Sequence, residues 1–378
     1  MSKDNSAKKS TTEEEPEQDS LLPGRESIRR SHEDRARHRH KTTKHRERLG
    51  VQAQIGGTLT EDLLVGRVVR SDGGYYIVDI DESGELRTKT SKRTIAAEPN
   101  ATLVTIGDRV RVEPHPESVA LIAEVLPRST KLLRRASGRN DAFAQVIVAN
   151  IDTLVIVTSI LEPPLSTGII DRYIVAGLDG GMEIAIVFNK TDLLKTKGGK
   201  DVLEEYLGIY RSIGYECFAT SAEDASTLEL LRKFLDRKTS VFAGHSGVGK
   251  TSLVNTLRGD EAERTGVLSK KYRRGAHTTS RSVLLKLGDV SGTYIVDTPG
   301  VREFANHEID PENLKFFFEE FLRFSDECAI PNCSHLHEPD CAVIAAVEES
   351  TMSVERYANY EKLYQEAKAQ DKKLREKS

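Results

Sequence analysis

The sequence predicts a multidomain α/β chain, with a small N-terminal β-barrel, a central mostly parallel sheet and a C-terminal helical module built around a metal. Three observations predict it. Residues 59–135 carry short alternating apolar and polar runs between turn residues. Residues 136–301 carry Val- and Ile-rich runs, the texture of buried parallel strands, around a glycine-rich loop that begins at Gly244. Residues 328–341 hold three of the four cysteines.

Composition narrows the classes. At 378 residues the chain has room for two or three domains, and its net charge of −4 does not advertise a polyanionic partner. No apolar run approaches the ~20 residues needed to span a bilayer, and the first residues carry no apolar leader. Few, clustered cysteines argue against a disulfide scaffold and for a metal site in a reducing compartment. We expect a cytoplasmic monomer with no membrane partner.

Residues 1–58 are poor in large apolar side chains and rich in Ser, Thr, Glu, Lys and Arg, so we expect a disordered extension. Its charge is segregated: between Arg25 and Arg48 lie ten Lys/Arg, four acids and four histidines. That stretch reads either as a solvated tail or as a basic arm for a polyanion such as RNA.

In residues 59–135, strands are expected at 64–70, 75–80, 86–90, 103–104, 109–113 and 119–125. Several short strands in so few residues suggest a small closed barrel, of which the OB-fold is the commonest. Arg128, Lys131, Arg134 and Arg135 form a basic exit segment, either part of a binding surface or a plain linker.

Residues 136–301 read as α/β, with strands at 144–150, 153–158, 183–188, 239–243 and 293–296 and a helix at 169–178. Gly244, His245, Ser246, Gly247, Val248, Gly249, Lys250, Thr251 and Ser252 match the phosphate-loop pattern G-x-x-x-x-G-K-[ST] between a strand and a helix start. Glycines there let backbone N–H groups converge on phosphate oxygens at a helix N-terminus. Lys250 then neutralises the β and γ phosphates, and the Thr251 hydroxyl reaches Mg²⁺. Asn189-Lys190-Thr191-Asp192 closes the strand at 183–188. The Asp192 carboxylate can accept from guanine N1–H and the 2-amino group, a pair that adenine does not present. The Lys190 stem can lie over the base, and Asn189 can tie this loop to the phosphate loop. Ser221 and Ala222 fit a backbone contact to guanine O6. The bound nucleotide is therefore expected to be GTP or GDP.

Downstream, Gly275-Ala276-His277-Thr278-Thr279 forms a basic, glycine-punctuated loop. A threonine there, Thr279 or its neighbour Thr278, would complete the Mg²⁺ shell. Asp297-Thr298-Pro299-Gly300 places Asp297 on Mg²⁺ and offers the Gly300 N–H to the γ-phosphate. Val301 stands where many GTPases carry a water-orienting Gln. His277 is then either the general base or water-orienting group, or an ordinary loop residue. The order is permuted, since N-K-x-D precedes the phosphate loop and D-x-x-G comes last, so the γ-phosphate switch leads into the C-terminal region.

In residues 302–378 an amphipathic helix is expected at 310–324 and another at 354–377, the latter with Tyr357, Tyr360, Leu363 and Tyr364 on one face. Between them Cys328, Cys333, His335 and Cys341 supply four ligands, the complement of a closed structural zinc site, with His337 a competing ligand. Cys217 reads as an inert buried residue.

With Asp171-Arg172-Tyr173 and Glu338-Pro339 added, this motif order resembles the circularly permuted ribosome-small-subunit-dependent GTPase A family (RsgA/YjeQ), over about residues 64–364. The resemblance implies an N-terminal OB-type barrel, a circularly permuted P-loop GTPase and an α-helical zinc domain. It further implies hydrolysis of GTP stimulated by the small ribosomal subunit and its rRNA, late in subunit maturation, with His277 as the catalytic histidine. The alternative is a GTP-regulated RNA- or protein-binding module with vestigial hydrolysis, which Val301 favours.

Overall fold

The computed structural model describes residues 63–80, 83–98, 102–115, 118–134, 145–259, 283–287, 292–297 and 310–375. The expected N-terminal extension lies outside these residues.

The first five strands are β1 (Leu64–Asp72), β2 (Tyr75–Ile80), β3 (Gly84–Ile95), β4 (Arg109–Glu113) and β5 (Ala120–Val125). They are ordered β1-β2-β3-β5-β4, and β4 pairs back onto β1 to close the barrel. β3 and β5 run parallel while the other pairs are antiparallel, which is the five-stranded Greek-key arrangement of the OB-fold. Alternation sends Val68, Val78, Val110, Val112 and Ile122 inward, all fully buried. Gly73 and Gly74 both take positive φ, +56° and +86°, as the tight β1–β2 turn demands.

Two expectations fail here. Residues 103–104 form a bend, because the Asp108 carboxylate takes the Thr105 N–H at 2.8 Å and curls the chain. The exit segment is no plain linker, and at Arg128 no basic surface; the Arg134 side chain and Arg135 lie outside the described residues. Lys131–Arg134 is a strand, β6, paired antiparallel with β7 (Gln145–Ala149) over the fully buried Leu132. The Arg128 side chain is buried, its guanidinium forked onto Asp108 at 2.8 and 2.9 Å.

The central sheet holds β8 (Thr153–Thr158), β9 (Glu183–Phe188), β10 (Glu216–Ala219), β11 (Thr239–Ala243), β12 (Val283–Lys286) and β13 (Tyr294–Asp297), in the order β10-β9-β8-β11-β13-β12. All pairs are parallel except β12 with β13. Alternate residues serve opposite faces. Leu154, Ile156, Ile184, Ile186 and Phe188 pack with α1 (Thr167–Asp179) and α2 (Lys197–Ile213). Val155, Val157, Val187, Phe242 and Ile295 pack with α3 (Glu229–Leu235) and α4 (Lys250–Arg258). Helices on both faces make this a doubly wound sheet. From β8 the chain winds outward through β9 and β10, then restarts at β11 on the other side. The crevice at the C-terminal ends of β8 and β11 is thus a topological switch point, where such sheets bind ligands.

The stretch expected as one helix at 310–324 is instead a chain of 3-10 turns, Leu314–Phe317, Glu319–Arg323 and then Ser325–Glu327. Phe318 and Glu320 are both buried, yet a regular helix would set them about 200° apart. The break at Phe318 (φ −99°, ψ 88°) lets both point inward. Two α-helices follow, α5 (Ala342–Glu348) and α6 (Val354–Arg375). Tyr360 and Leu363 of α6 are buried, with Tyr357 and Tyr364 packed beside them, as the pattern predicts. Among the described residues no helix is long and apolar enough to cross a membrane.

Candidate functional site

The phosphate-loop residues Gly244 to Ser252 occupy the switch point, leaving β11 and entering α4. Two glycines are required by contact. A Cβ on Gly244 (φ +143°) would meet the Val157 carbonyl oxygen at 2.1 Å, and one on Gly249 (φ +89°) would meet Asn189 Nδ2 at 2.5 Å. The Lys250 ammonium folds back on its own loop, donating to the Gly244 and His245 carbonyls at 2.8 and 2.7 Å. Thr251 and Ser252 are exposed at the start of α4, where the first-turn N–H groups of any helix lack intrahelical acceptors.

Asn189, Lys190, Thr191 and Asp192 leave β9 directly beside that loop. The Asn189 amide, itself buried, donates to the Val248 carbonyl at 2.9 Å and accepts from Thr220 Oγ1 at 3.2 Å. Lys190 sits in the left-handed region (φ +64°), a conformation that side chains adopt at a cost and that concentrates at functional sites. Ser221 Oγ donates to Asp192 Oδ1 at 2.6 Å and holds that carboxylate in place. The Ser221 N–H is spent on Thr227 Oγ1 at 2.9 Å, so of the Ser221–Ala222 pair it is Ala222 whose amide suits a base. Thr256 of α4 donates to the Ala222 carbonyl at 3.0 Å. Asn189 thus ties the first base-side loop to the phosphate loop, Thr220 ties the two base-side loops together, and Thr256 ties the second to α4. Of the threonines involved, only Thr220, beside Ser221, carried any trace of this in the sequence.

A mostly apolar cavity of about 220 Å³ opens behind the loop, lined by Pro163, Ile169, Ile170 and Val248 among others. Its lining does not suit phosphate, so it does not mark the nucleotide position. His277, Thr278, Thr279 and Gly300 lie outside the described residues; Asp297 ends β13, its side chain likewise undescribed.

The second cluster is complete. The ligand atoms of Cys328, Cys333, His335 and Cys341 all lie within 4.8 Å of one another. A tetrahedral zinc would set its sulfurs about 3.8 Å apart and sulfur and nitrogen about 3.6 Å apart. Here Cys328 Sγ and Cys341 Sγ are 3.9 Å apart, and His335 Nδ1 lies 3.6 and 3.4 Å from those two sulfurs. The residues fit zinc. His335 Nε2 faces Ser325 Oγ at 3.4 Å, which leaves Nδ1 for the metal. Burial, helped by the Lys315 ammonium, pushes the His335 imidazole down to about 4 and keeps it in the neutral, ligating form. Asn332, His335 and Asp340 all take positive φ to bring the four together. Glu338 braces the turn, accepting N–H groups from Ser334, Leu336 and His337 at 2.7, 3.1 and 3.2 Å. His337 is exposed and stands outside the cluster.

Cys217 is buried in β10, and burial pushes its thiol up to about 12. It is expected to resist iodoacetamide at pH 8 in the native protein and to react on unfolding. Mass spectrometry reads the adduct, and rapid native labelling would contradict the inert assignment.

A phosphate loop at the switch point, an adjoining base-recognition loop, a permuted strand order, an OB barrel and a Cys₃His centre define a circularly permuted P-loop GTPase with a zinc module. The RsgA GTPase family profile matches residues 125–307. The small ribosomal subunit biogenesis GTPase RsgA of Chlorobaculum tepidum is 40% identical over 307 residues, covering 79% of this chain and 97% of its own. The protein of that name from Caldanaerobacter subterraneus is 35% identical over 313 residues, covering 82% and 97%. The crystal structure of YjeQ from Thermotoga maritima superposes with a TM-score of 0.65 at 31% identity, covering 81% of this chain and 98% of that one. The chain belongs to the RsgA GTPase family, and it is a GTP-hydrolysing enzyme.

Proposed function

We propose that this GTPase acts on the small ribosomal subunit as a late maturation factor in the cytoplasm, as a monomer, with the subunit stimulating hydrolysis. The observation that carries the nucleotide part is the Asn189–Val248 hydrogen bond, because it sets a guanine-selective loop and a phosphate loop around one crevice. Asp192, oriented by Ser221, reads guanine N1–H and the 2-amino group; the Ala222 amide meets O6; the Lys190 stem covers the base. Gly244, His245, Ser246, Gly247, Val248, Gly249, Lys250, Thr251 and Ser252 wrap the phosphates. Lys250 would exchange its two loop carbonyls for phosphate oxygens. Thr251, Thr279 and Asp297 would hold a magnesium ion bound with GTP, which would supply charge neutralisation at the phosphate oxygens. Gly300 offers its N–H to the γ-phosphate, and His277 orients or deprotonates the attacking water in place of the Gln that Val301 replaces.

The ribosomal part rests on the names of the relatives and on the barrel surface. Arg87, Lys89, Lys92 and Arg93 are exposed along β3, and the Arg87 guanidinium stacks 3.9 Å from the Tyr75 ring centroid. A basic strand with a stacked aromatic suits the backbone and bases of rRNA.

The test is steady-state hydrolysis of GTP, XTP and ATP by the full chain, alone and with purified small ribosomal subunits. GTP turnover is expected to rise strongly with subunits and ATP turnover to stay at background. Asp192→Asn is expected to lose at least about a hundredfold in kcat/KM for GTP, because the new amide NH2 faces the guanine 2-amino group donor to donor and the remaining bond loses its charged acceptor. It is expected to gain on XTP, whose 2-oxo group accepts from that NH2. Unchanged selectivity in that variant would remove Asp192 from base recognition. Equal turnover with and without subunits would remove the ribosomal role.

A further inference from the structure

The barrel and the GTPase sheet are one hydrogen-bonded surface, joined where β1 meets β12. Arg70 of β1 is the register partner of Val283 of β12, and Val283 is in turn the partner of Asp297 at the end of β13. In the other direction Arg70 pairs with Ile77 of β2, and Ile77 pairs with Arg87 of β3. Arg87, Ile77, Arg70, Val283 and Asp297 therefore stand in one line across five neighbouring strands. Four steps of about 4.8 Å put the two ends about 19 Å apart. One end is the exposed basic strand of the barrel. The other is the strand end that runs straight into Thr298-Pro299-Gly300.

The line alone would be a weak connection, because β1 and β12 share a single register pair. Two side-chain ties reinforce it. Tyr294, at the start of β13, donates its hydroxyl to Asp79 Oδ2 of β2 at 3.1 Å. Arg67 of β1 donates to Thr239 Oγ1 of β11 at 2.9 Å, and its guanidinium lies 5.8 Å from the Tyr294 ring centroid. β13 is thus held to the barrel at both ends, at Asp297 through Val283 and Arg70 and at Tyr294 through Asp79. All four residues of β12 pair with β13, so the two strands move together. With both attachments in place, a tilt of the barrel must carry β13 with it. The barrel is also held to β7 and β11, through Ile106 with Val148 and Arg67 with Thr239, so loss of the Tyr294 tie leaves the barrel in place and β13 joined to it through the β12–β1 bridge.

We infer that this junction carries a contact made on the barrel to the strand that positions Asp297, and that Tyr294 is the positioning residue which makes the connection stiff. The inference rests on the reading that the small subunit docks on the barrel and stimulates hydrolysis. Tyr294 pairs with Thr239 at the start of β11, the end of the sheet opposite the phosphate loop. Loss of the Tyr294–Asp79 bond should spare nucleotide affinity and basal turnover and act on stimulation alone.

The experiment uses the full chain as wild type, Tyr294→Phe, Asp79→Ala and the double variant, with purified small ribosomal subunits as the probe. Subunit binding by co-sedimentation, basal turnover, KM for GTP and the stimulated kcat are measured for each. The expected result is wild-type binding, basal rate and KM, with the stimulated kcat down about fivefold, the factor one ordinary hydrogen bond represents. The double variant should fall no further than either single one, since both remove the same bond. A stimulated kcat at the wild-type level in Tyr294→Phe overturns the inference, and so does loss of subunit binding, which would make the pair part of the docking surface. Failure of the wild type itself to respond to subunits is a separate result that rejects the ribosomal reading and this coupling with it.

Discussion

Cys341→Ser is expected to release the metal and melt the C-terminal module while the central sheet survives. Cys341 is one of the four residues placed to hold zinc and stands at the N-cap of α5, where serine is itself a favoured cap, so the change removes a metal bond without weakening the helix start. Structural zinc in small modules contributes on the order of 10–16 kcal/mol of apparent binding energy, as much as most domains have in total. The local fold leans on it. Three non-glycine residues between 332 and 340 sit at positive φ, and the Tyr357 hydroxyl reaches the His335 carbonyl at 2.8 Å while Tyr360 reaches that of Ser334. When the ligands scatter, those bonds and the packing of Phe321 against His335 are lost together. Metal analysis should find one zinc per wild-type chain and less than a tenth of that in the variant, with fast amide exchange across residues 328–360. Slow exchange there in zinc-free protein would show that the aromatic core suffices without the metal.

Arg356→Met is the second large effect. Arg356 is 2% exposed and joins three parts of the chain: its Nε and one terminal nitrogen fork onto Glu320 at 2.7 and 2.9 Å, and the other meets Asp171 of α1. Asp171 also accepts from Asn359 at 2.7 Å and from Tyr210 at 3.2 Å, and the guanidinium lies over the Phe318 ring at 4.7 Å. Removing the cation leaves two buried carboxylates with no counter-charge, at a cost of about 3–5 kcal/mol. The loss should appear as a lower melting temperature for the contact between α6 and α1. It should also depend on pH. Burial already holds the Asp171 carboxyl above its ordinary range, against the opposing pull of Arg356, and without the guanidinium it rises further. A carboxyl raised in the folded state binds more protons there than in the unfolded chain, so stability falls as pH rises. The deficit should be smaller at pH 5 than at pH 8. Adding Glu320→Gln, which removes one buried charge, should recover part of it. An Arg356→Met protein that melts like wild type at pH 8 would show that water or rearrangement already satisfies the pair.

Several features were legible in the sequence because they depend on neighbouring residues. The phosphate loop needs glycines at two backbone positions and a lysine at a fixed spacing, so Gly244, Gly249 and Lys250 announce it without any fold. The same holds for Asn189 to Asp192, for the zinc ligands within fourteen residues of one another, and for the alternating strands of the barrel. The permuted order is likewise a property of the chain alone. Where local pattern misled, a distant partner had intervened. The segment at 314–323 has helical periodicity, but Arg356 captures Glu320 while Tyr360 and Phe321 hold Phe318, and a regular helix cannot face both ways. Arg128 looked like surface charge until Asp108, twenty residues earlier, buried it.

By itself, then, the sequence determined that this chain carries a permuted guanine-selective phosphate-loop sheet, a barrel before it and a Cys₃His centre after it. Only the tertiary structure decided that Asn189 locks the base loop to Val248, that Ser221 aims Asp192, and that Arg87 and Asp297 share one register line. The reason is physical: a motif is written in short-range backbone and side-chain requirements, whereas hydrogen bonds and strand register between residues far apart in the chain exist only once the sheet has closed.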